Sequence, residues 1–119
     1  MSVSRHVMAA KVTEWLRNKA GAGVALSPSA RCDLRDIIRY ISLDNPEKAL
    51  EFGRFLVAKT RALGRFPEMG REVPETGNSS IREIIVRSYR VVYRVESSKR
   101  MVQVIRFWHA ARGMPQIKT

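Results

Sequence analysis

The stretch Tyr89-Arg-Val-Val-Tyr-Arg-Val-Glu96 alternates without a break. Tyr89, Val91, Tyr93 and Val95 share one side, and Arg90, Val92, Arg94 and Glu96 share the other. A period of two belongs to a strand whose two faces meet different surroundings. On one flank lies Ile81–Arg87, and on the other Met101–His109, both rich in Val, Ile, Phe and Trp. Only Ser88 and the segment Ser97–Arg100 separate these runs, and connections that short favour antiparallel neighbours. With Val and Tyr along one face of the central run, Tyr89 and Tyr93 are expected in the core and not as platforms for bases.

Before Ile81 the pattern changes. Residues 67–80 are rich in Pro, Gly, Glu, Asn and Ser and read as a loop. Upstream of it the apolar period is helical. Ser27 followed by Pro28 is an N-cap with proline at the first helical position, and Ala30, Leu34, Ile37, Ile38 and Ile41 continue one stripe. Asp44-Asn45-Pro46 ends that helix and starts another by the same device, with Ala49, Phe52, Leu56 and Leu63 on its stripe up to Pro67. Two amphipathic helices with so short a link form an αα-hairpin. Val24–Leu26 reads as a further short strand. Met8, Val12, Trp15 and Leu16 mark an additional helix that Gly21 and Gly23 stop. The expected fold class is therefore α+β. A domain over 24–119 packs a helical hairpin on one face of a small antiparallel sheet, leaves arginines on the open face, and follows a helical extension over 1–23.

Charge narrows the function. The chain of 119 residues carries 22 basic and 11 acidic side chains, a net +11. Residues 80–119 hold nine basic and two acidic groups, whereas 26–79 hold nine and eight. Sixteen of the basic residues are Arg, the better bidentate partner of phosphate and carboxylate. Such a field points to a nucleic acid or an acidic protein. No apolar run approaches the roughly 18 residues of a membrane span. The lone Cys32 offers neither a disulfide nor a metal cluster, and a reducing cytoplasm is the expected setting. Gly-rich phosphate loops, HExxH, GxSxG and paired cysteines are absent, so no metal or cofactor is expected.

Taken in order, LSPSARCDLRDIIRYI (26–41), DNPEKALEF (44–52), FPEMGR (66–71), SYRVVYRV (88–95) and VIRFWHAARG (104–113) resemble the RelE/ParE superfamily of toxins from type II toxin–antitoxin systems. The resemblance implies a cytoplasmic, plasmid-stabilisation type toxin held in a hetero-oligomer by a cognate acidic antitoxin. Arg82, Arg87, Arg90, Arg94 and Arg106 are then the expected partner-binding residues. RelE-like members cut mRNA on the ribosome, while ParE-like members inhibit DNA gyrase. On the nuclease alternative Arg90 aligns with an arginine acting on the scissile phosphate, and His109 and Arg112 complete the catalytic candidates. Against it, the second arginine of the RelE-type set falls on Ala110 and its C-terminal tyrosine on Gln116. The ParE-like reading is therefore the expectation. A non-toxic basic binding module is the third possibility, and His109 bonded to a neighbouring carbonyl is the bland reading at the site.

Overall fold

The structure is a computed structural model that describes residues 23–113, 115 and 117. The helix expected from Met8 to Leu16 lies outside the described residues. Strand β1 (Val24–Leu26) leads into helix α1 (Pro28–Ser42) and helix α2 (Pro46–Arg65). Then come β2 (Arg71–Glu72), β3 (Ile81–Val86), β4 (Tyr89–Glu96) and β5 (Met101–His109). The order across the sheet is β1-β5-β4-β3-β2.

Both helices begin as the sequence predicts. Ser27 Oγ accepts from the Ala30 amide at 3.0 Å, and Asn45 Oδ1 accepts from the Lys48 amide at 3.1 Å. Each satisfies an amide that the first turn leaves without a helical partner, and a proline follows each cap. Ser27 also donates its hydroxyl to Ile105 O at 3.2 Å, which ties the start of α1 to β5. Ala30, Leu34 and Ile38 of α1 and Leu56, Val57 and Leu63 of α2 meet Val91, Tyr93, Val104 and Phe107 of the sheet in one core.

Two expectations need correction. The sheet is mixed, because β1 pairs parallel to β5 while β2 to β5 form antiparallel neighbours. The helical hairpin carries the chain from β1 to β2 at the opposite edge, and the run β2 to β5 brings it back beside β1, a connection long enough to permit a parallel pair. Nor is the face away from the helices simply open. Val73, Ile81, Val92 and Ile105 form a second small core there, with Ile117 packed against it. Val73 belongs to the segment read as loop, which also holds the two-residue strand β2.

The ladder between β4 and β5 slips by one residue between Val92 and Tyr93. Val92 stands opposite Arg106 and Tyr93 opposite Val104, so Ile105 is the extra residue. Such a bulge reverses which side chains of the strand face the helices. It is the reason that Val104 and Phe107, an odd number apart, both reach the main core.

Candidate functional site

On the face away from the helices, alternation places Glu83, Arg90 and Arg106 among apolar neighbours. The Glu83 carboxylate is fully buried and takes Arg71 Nε at 2.8 Å and Arg90 Nε at 2.5 Å. Arg90 then spreads the rest of its fork over Glu75, with Nη1 2.9 Å from Oε2 and Nη2 3.2 Å from Oε1. The hydrogen bond from Arg90 holds the Glu75 carboxyl below the ordinary carboxylate range. The same bonds, first to Glu75 and then to Glu83, raise the guanidinium of Arg90 further still. With a side chain only 11% exposed, Arg90 is a structural cation locked between two carboxylates.

Arg106 is likewise engaged. Its Nε and Nη2 donate to the two oxygens of Asp33 at 2.7 and 2.8 Å, and the Phe107 amide adds a third bond to Asp33 Oδ2 at 3.0 Å. Strand β1 ends at Leu26, so the outer edge of β5 beyond Ile105 has no strand partner. Asp33 of α1 supplies an acceptor to that edge.

The end of β5 is built around Trp108. Arg106 lies 4.7 Å and Arg112 4.0 Å from its ring centroid, and the indole N–H donates to Gly113 O at 3.2 Å. His109 Nδ1 accepts from the Ala111 amide at 3.1 Å, capping a single 3₁₀ turn over Ala110–Arg112. Its ring meets Tyr89 edge to face at 5.1 Å. Burial, and then the neighbouring Tyr40, push the Tyr89 phenol up. His109, Arg112, Tyr89 and Phe107 face Asp33, Asp36 and Tyr40 of α1 across a cleft of about 470 Å³.

A second depression of about 770 Å³ runs between α2 and the outer edge of β3. Phe55, Ala58 and Ala62 line its helical wall, and Met69, Ile84 and Ile85 its floor and far side. Strand β2 pairs only with Arg82 and Glu83, so β3 beyond Glu83 has no strand on that side. Lys59, Arg71 and Arg87 border the groove.

The expected partner-binding arginines are therefore dispersed. Arg90, Arg94 and Arg106 lie on the face away from the helices. Arg94 and Arg106 line a smaller recess of about 200 Å³ with Ser27, Ser29 and Gln103. Arg82 points to the other face, where its Nη1 donates to Gly70 O at 2.8 Å. Arg87 sits in the two-residue turn between β3 and β4 at φ 54°, with its guanidinium 4.6 Å from the Phe55 ring centroid. Of the nuclease candidates, His109 and Arg112 share the α1 cleft while Arg90 is turned to the opposite face. Cys32 is exposed on α1. Among the described residues no three His, Cys, Asp or Glu side chains gather as a metal site would require. No helix of the described residues is long and apolar enough to cross a membrane.

Sequence reading missed the acids. Glu83, Glu75 and Asp33 decide what the arginines can do, yet two of them lie far from their partners in sequence. Glu83 alone carried a signal, as a single carboxylate inside the apolar run Ile81-Arg-Glu-Ile-Ile-Val86.

The model for the ParE toxin of the type II toxin–antitoxin system parDE matches residues 24–114. Among curated proteins none matches in sequence. Among solved structures, the chromosomal ParDE toxin–antitoxin system from P. aeruginosa aligns with a TM-score of 0.61 at 22% identity. That alignment covers 73% of this chain and 94% of the other, and so supports the α+β fold. With the family match spanning every described strand and helix, the chain belongs to the ParE toxin family of type II toxin–antitoxin systems.

Proposed function

We propose that this toxin inhibits DNA gyrase, does not cleave mRNA, and is neutralised by a cognate antitoxin seated in the groove between α2 and β3. The observation that speaks against mRNA cleavage is the double carboxylate lock on Arg90, and with cleavage set aside the ParE family match supports gyrase as the target. A nuclease needs that guanidinium on a phosphate in the transition state. Here the phosphate would have to displace Glu75 and leave the buried Glu83 facing a second anion. The other two candidates are also committed, His109 to the Ala111 amide and Arg112 to the Trp108 ring.

The groove supports the antitoxin reading. Met69 and Ile85 are each more than half exposed there, and the bordering cations suit an apolar segment with acidic flanks. The unpaired edge of β3 offers main-chain hydrogen bonds to an extended segment.

The test pairs two assays on purified toxin: gyrase supercoiling, and primer extension on translating mRNA. Inhibited supercoiling with intact message is the expected outcome, relieved when the antitoxin encoded beside the toxin is added. His109→Gln should leave inhibition within a fewfold, because no proton is transferred. Specific mRNA cuts that disappear in His109→Gln, with supercoiling untouched, would install the nuclease instead. A normal growth rate during soluble expression without antitoxin would remove toxicity altogether.

A further inference from the structure

Among the described residues, the largest group of arginines without an ion pair lies on the helical hairpin. Arg31, Arg35 and Arg39 of α1 recur at i, i+4 and i+8, and Arg54, Arg61 and Arg65 of α2 recur at i, i+7 and i+11. All six are exposed, and none makes an ion pair among the described residues. The buried stripes of both helices face the sheet, so the two rows run along the outward surface of an antiparallel pair. Within a row, residues four apart stand about 6 Å from one another along the axis.

The rows are purest at one pole. Exposed acids of the hairpin, Asp44, Glu47 and Glu51, fall toward the turn between the helices, and Asp36 lies at the middle of α1. The opposite end holds Arg31, Arg61 and Arg65, with Arg35 midway along α1. Arg100 belongs to this end as well, because a Cβ on Gly23 would lie 3.6 Å from Arg100 O and 3.7 Å from Gly64 Cα.

We propose that this arginine face of the hairpin binds the phosphate backbone of double-stranded DNA. Three features favour that partner. An acidic protein tail binds by apolar anchors as well as charge; of the exposed large apolar side chains Met69 and Ile85 lie in the groove beside β3 and Leu43 at the turn between the helices, with Phe66 alone of these four beside the arginine end. Single-stranded nucleic acid is held by a row of stacking aromatics, whereas the exposed aromatics here are isolated: Tyr40 about a 100° turn from Arg39, and Phe66 just past the end of α2. What remains is a rigid array of forked cations, which suits regularly spaced phosphates and reads no bases. The proposal does not depend on the enzyme that the toxin inhibits.

The experiment is fluorescence anisotropy of the full chain with a short labelled DNA duplex of arbitrary sequence, over a series of salt concentrations. Arg35→Gln/Arg61→Gln is compared with Lys59→Gln/Arg87→Gln, which removes equal charge from the groove side. All four residues are exposed, and circular dichroism verifies the fold of each variant. The hairpin pair should raise Kd by about tenfold and flatten the slope of log K against log salt by about 0.9 for each lost phosphate contact. The groove pair should leave both near those of the parent chain. Equal losses in the two variants would assign binding to net charge alone and overturn the proposal. It also falls if single-stranded DNA binds more tightly than duplex, or if polyglutamate binds where DNA does not. Neither toxicity nor supercoiling is read out, so failure here leaves the gyrase reading standing.

Discussion

Over residues 80–119 nine basic side chains stand against two acidic ones, and over 26–65 eight stand against five. The linear count therefore places the positive field on the sheet. In three dimensions much of it moves. Arg82 and Arg90 of the sheet find Glu72, Glu75 and Glu83, and Arg106 finds Asp33, which the hairpin gives up to it. The hairpin arginines remain exposed and without an ion pair among the described residues. Charge density along a chain predicts surface potential only when pairing is local, and here two of the sheet's acids arrive from outside it.

The largest effect should follow from emptying the buried carboxylate. Glu83→Ala leaves the largely buried Arg90 with one partner and Arg71 with none in that site. Removing one member of a buried ion pair costs roughly 3–5 kcal/mol. Arg71 can turn to solvent, so the lower end applies, and a Tm fall of more than about 10 °C is expected. A loss no greater than that of a surface variant would mean that the sheet arginines are not locked.

Next comes the crossing above this site. The Gly70 amide donates to the Tyr93 hydroxyl at 2.9 Å, and that hydroxyl donates to Pro67 O at 2.7 Å. A Cβ on Gly70 would lie 2.5 Å from both Tyr93 Oη and Glu83 O, one of them backbone. Gly70→Ala should therefore cost about 1–3 kcal/mol, the usual range for overpacking, read by urea unfolding. An unchanged midpoint would show that the loop before β2 gives way freely.

The helices, their caps and the three longer strands were legible because each rests on local chemistry. Ser27-Pro28 and Asn45-Pro46 fix the starts, and strict alternation over Tyr89–Glu96 fixes the faces. The parallel placement of β1, the bulge at Ile105 and the strand Arg71–Glu72 depend on partners far along the chain, and no short window contains them. The site divided in the same way. Arg90, His109 and Arg112 could be named from their positions, but Glu75 and Asp33 are what hold Arg90 and Arg106, and they lie 15 and 73 residues from them.

A smaller effect concerns acid. Glu75 titrates below its ordinary value of 4.5 in the folded protein, chiefly through the Arg90 hydrogen bond. A carboxyl depressed by folding contributes stability that is complete above its unfolded value. That contribution is lost as pH falls through the folded value. Stability should thus decline below about pH 4.5, and Glu75→Gln should decline less steeply over that interval. Parallel pH profiles for the two proteins would show that Glu75 is not coupled to Arg90.

The smallest expected effect sharpens the comparison most. Arg35→Gln and Arg61→Gln each replace an exposed helical cation by a residue of similar length and helix propensity. Surface changes of this kind stay within about 0.5 kcal/mol. Arg90→Gln removes the partner of two carboxylates, one of them fully buried, and should cost several times more. The same chemical substitution would then be nearly silent on the hairpin and severe on the sheet, measured as Tm for all three chains in one buffer. Equal shifts would mean that hairpin arginines also serve the fold, and their exposure would lose its meaning as a surface kept available for a partner. A clear separation, with DNA affinity falling in the variants that leave Tm alone, would divide the arginines by role: the sheet uses them to hold its own acids, and the hairpin presents them outward.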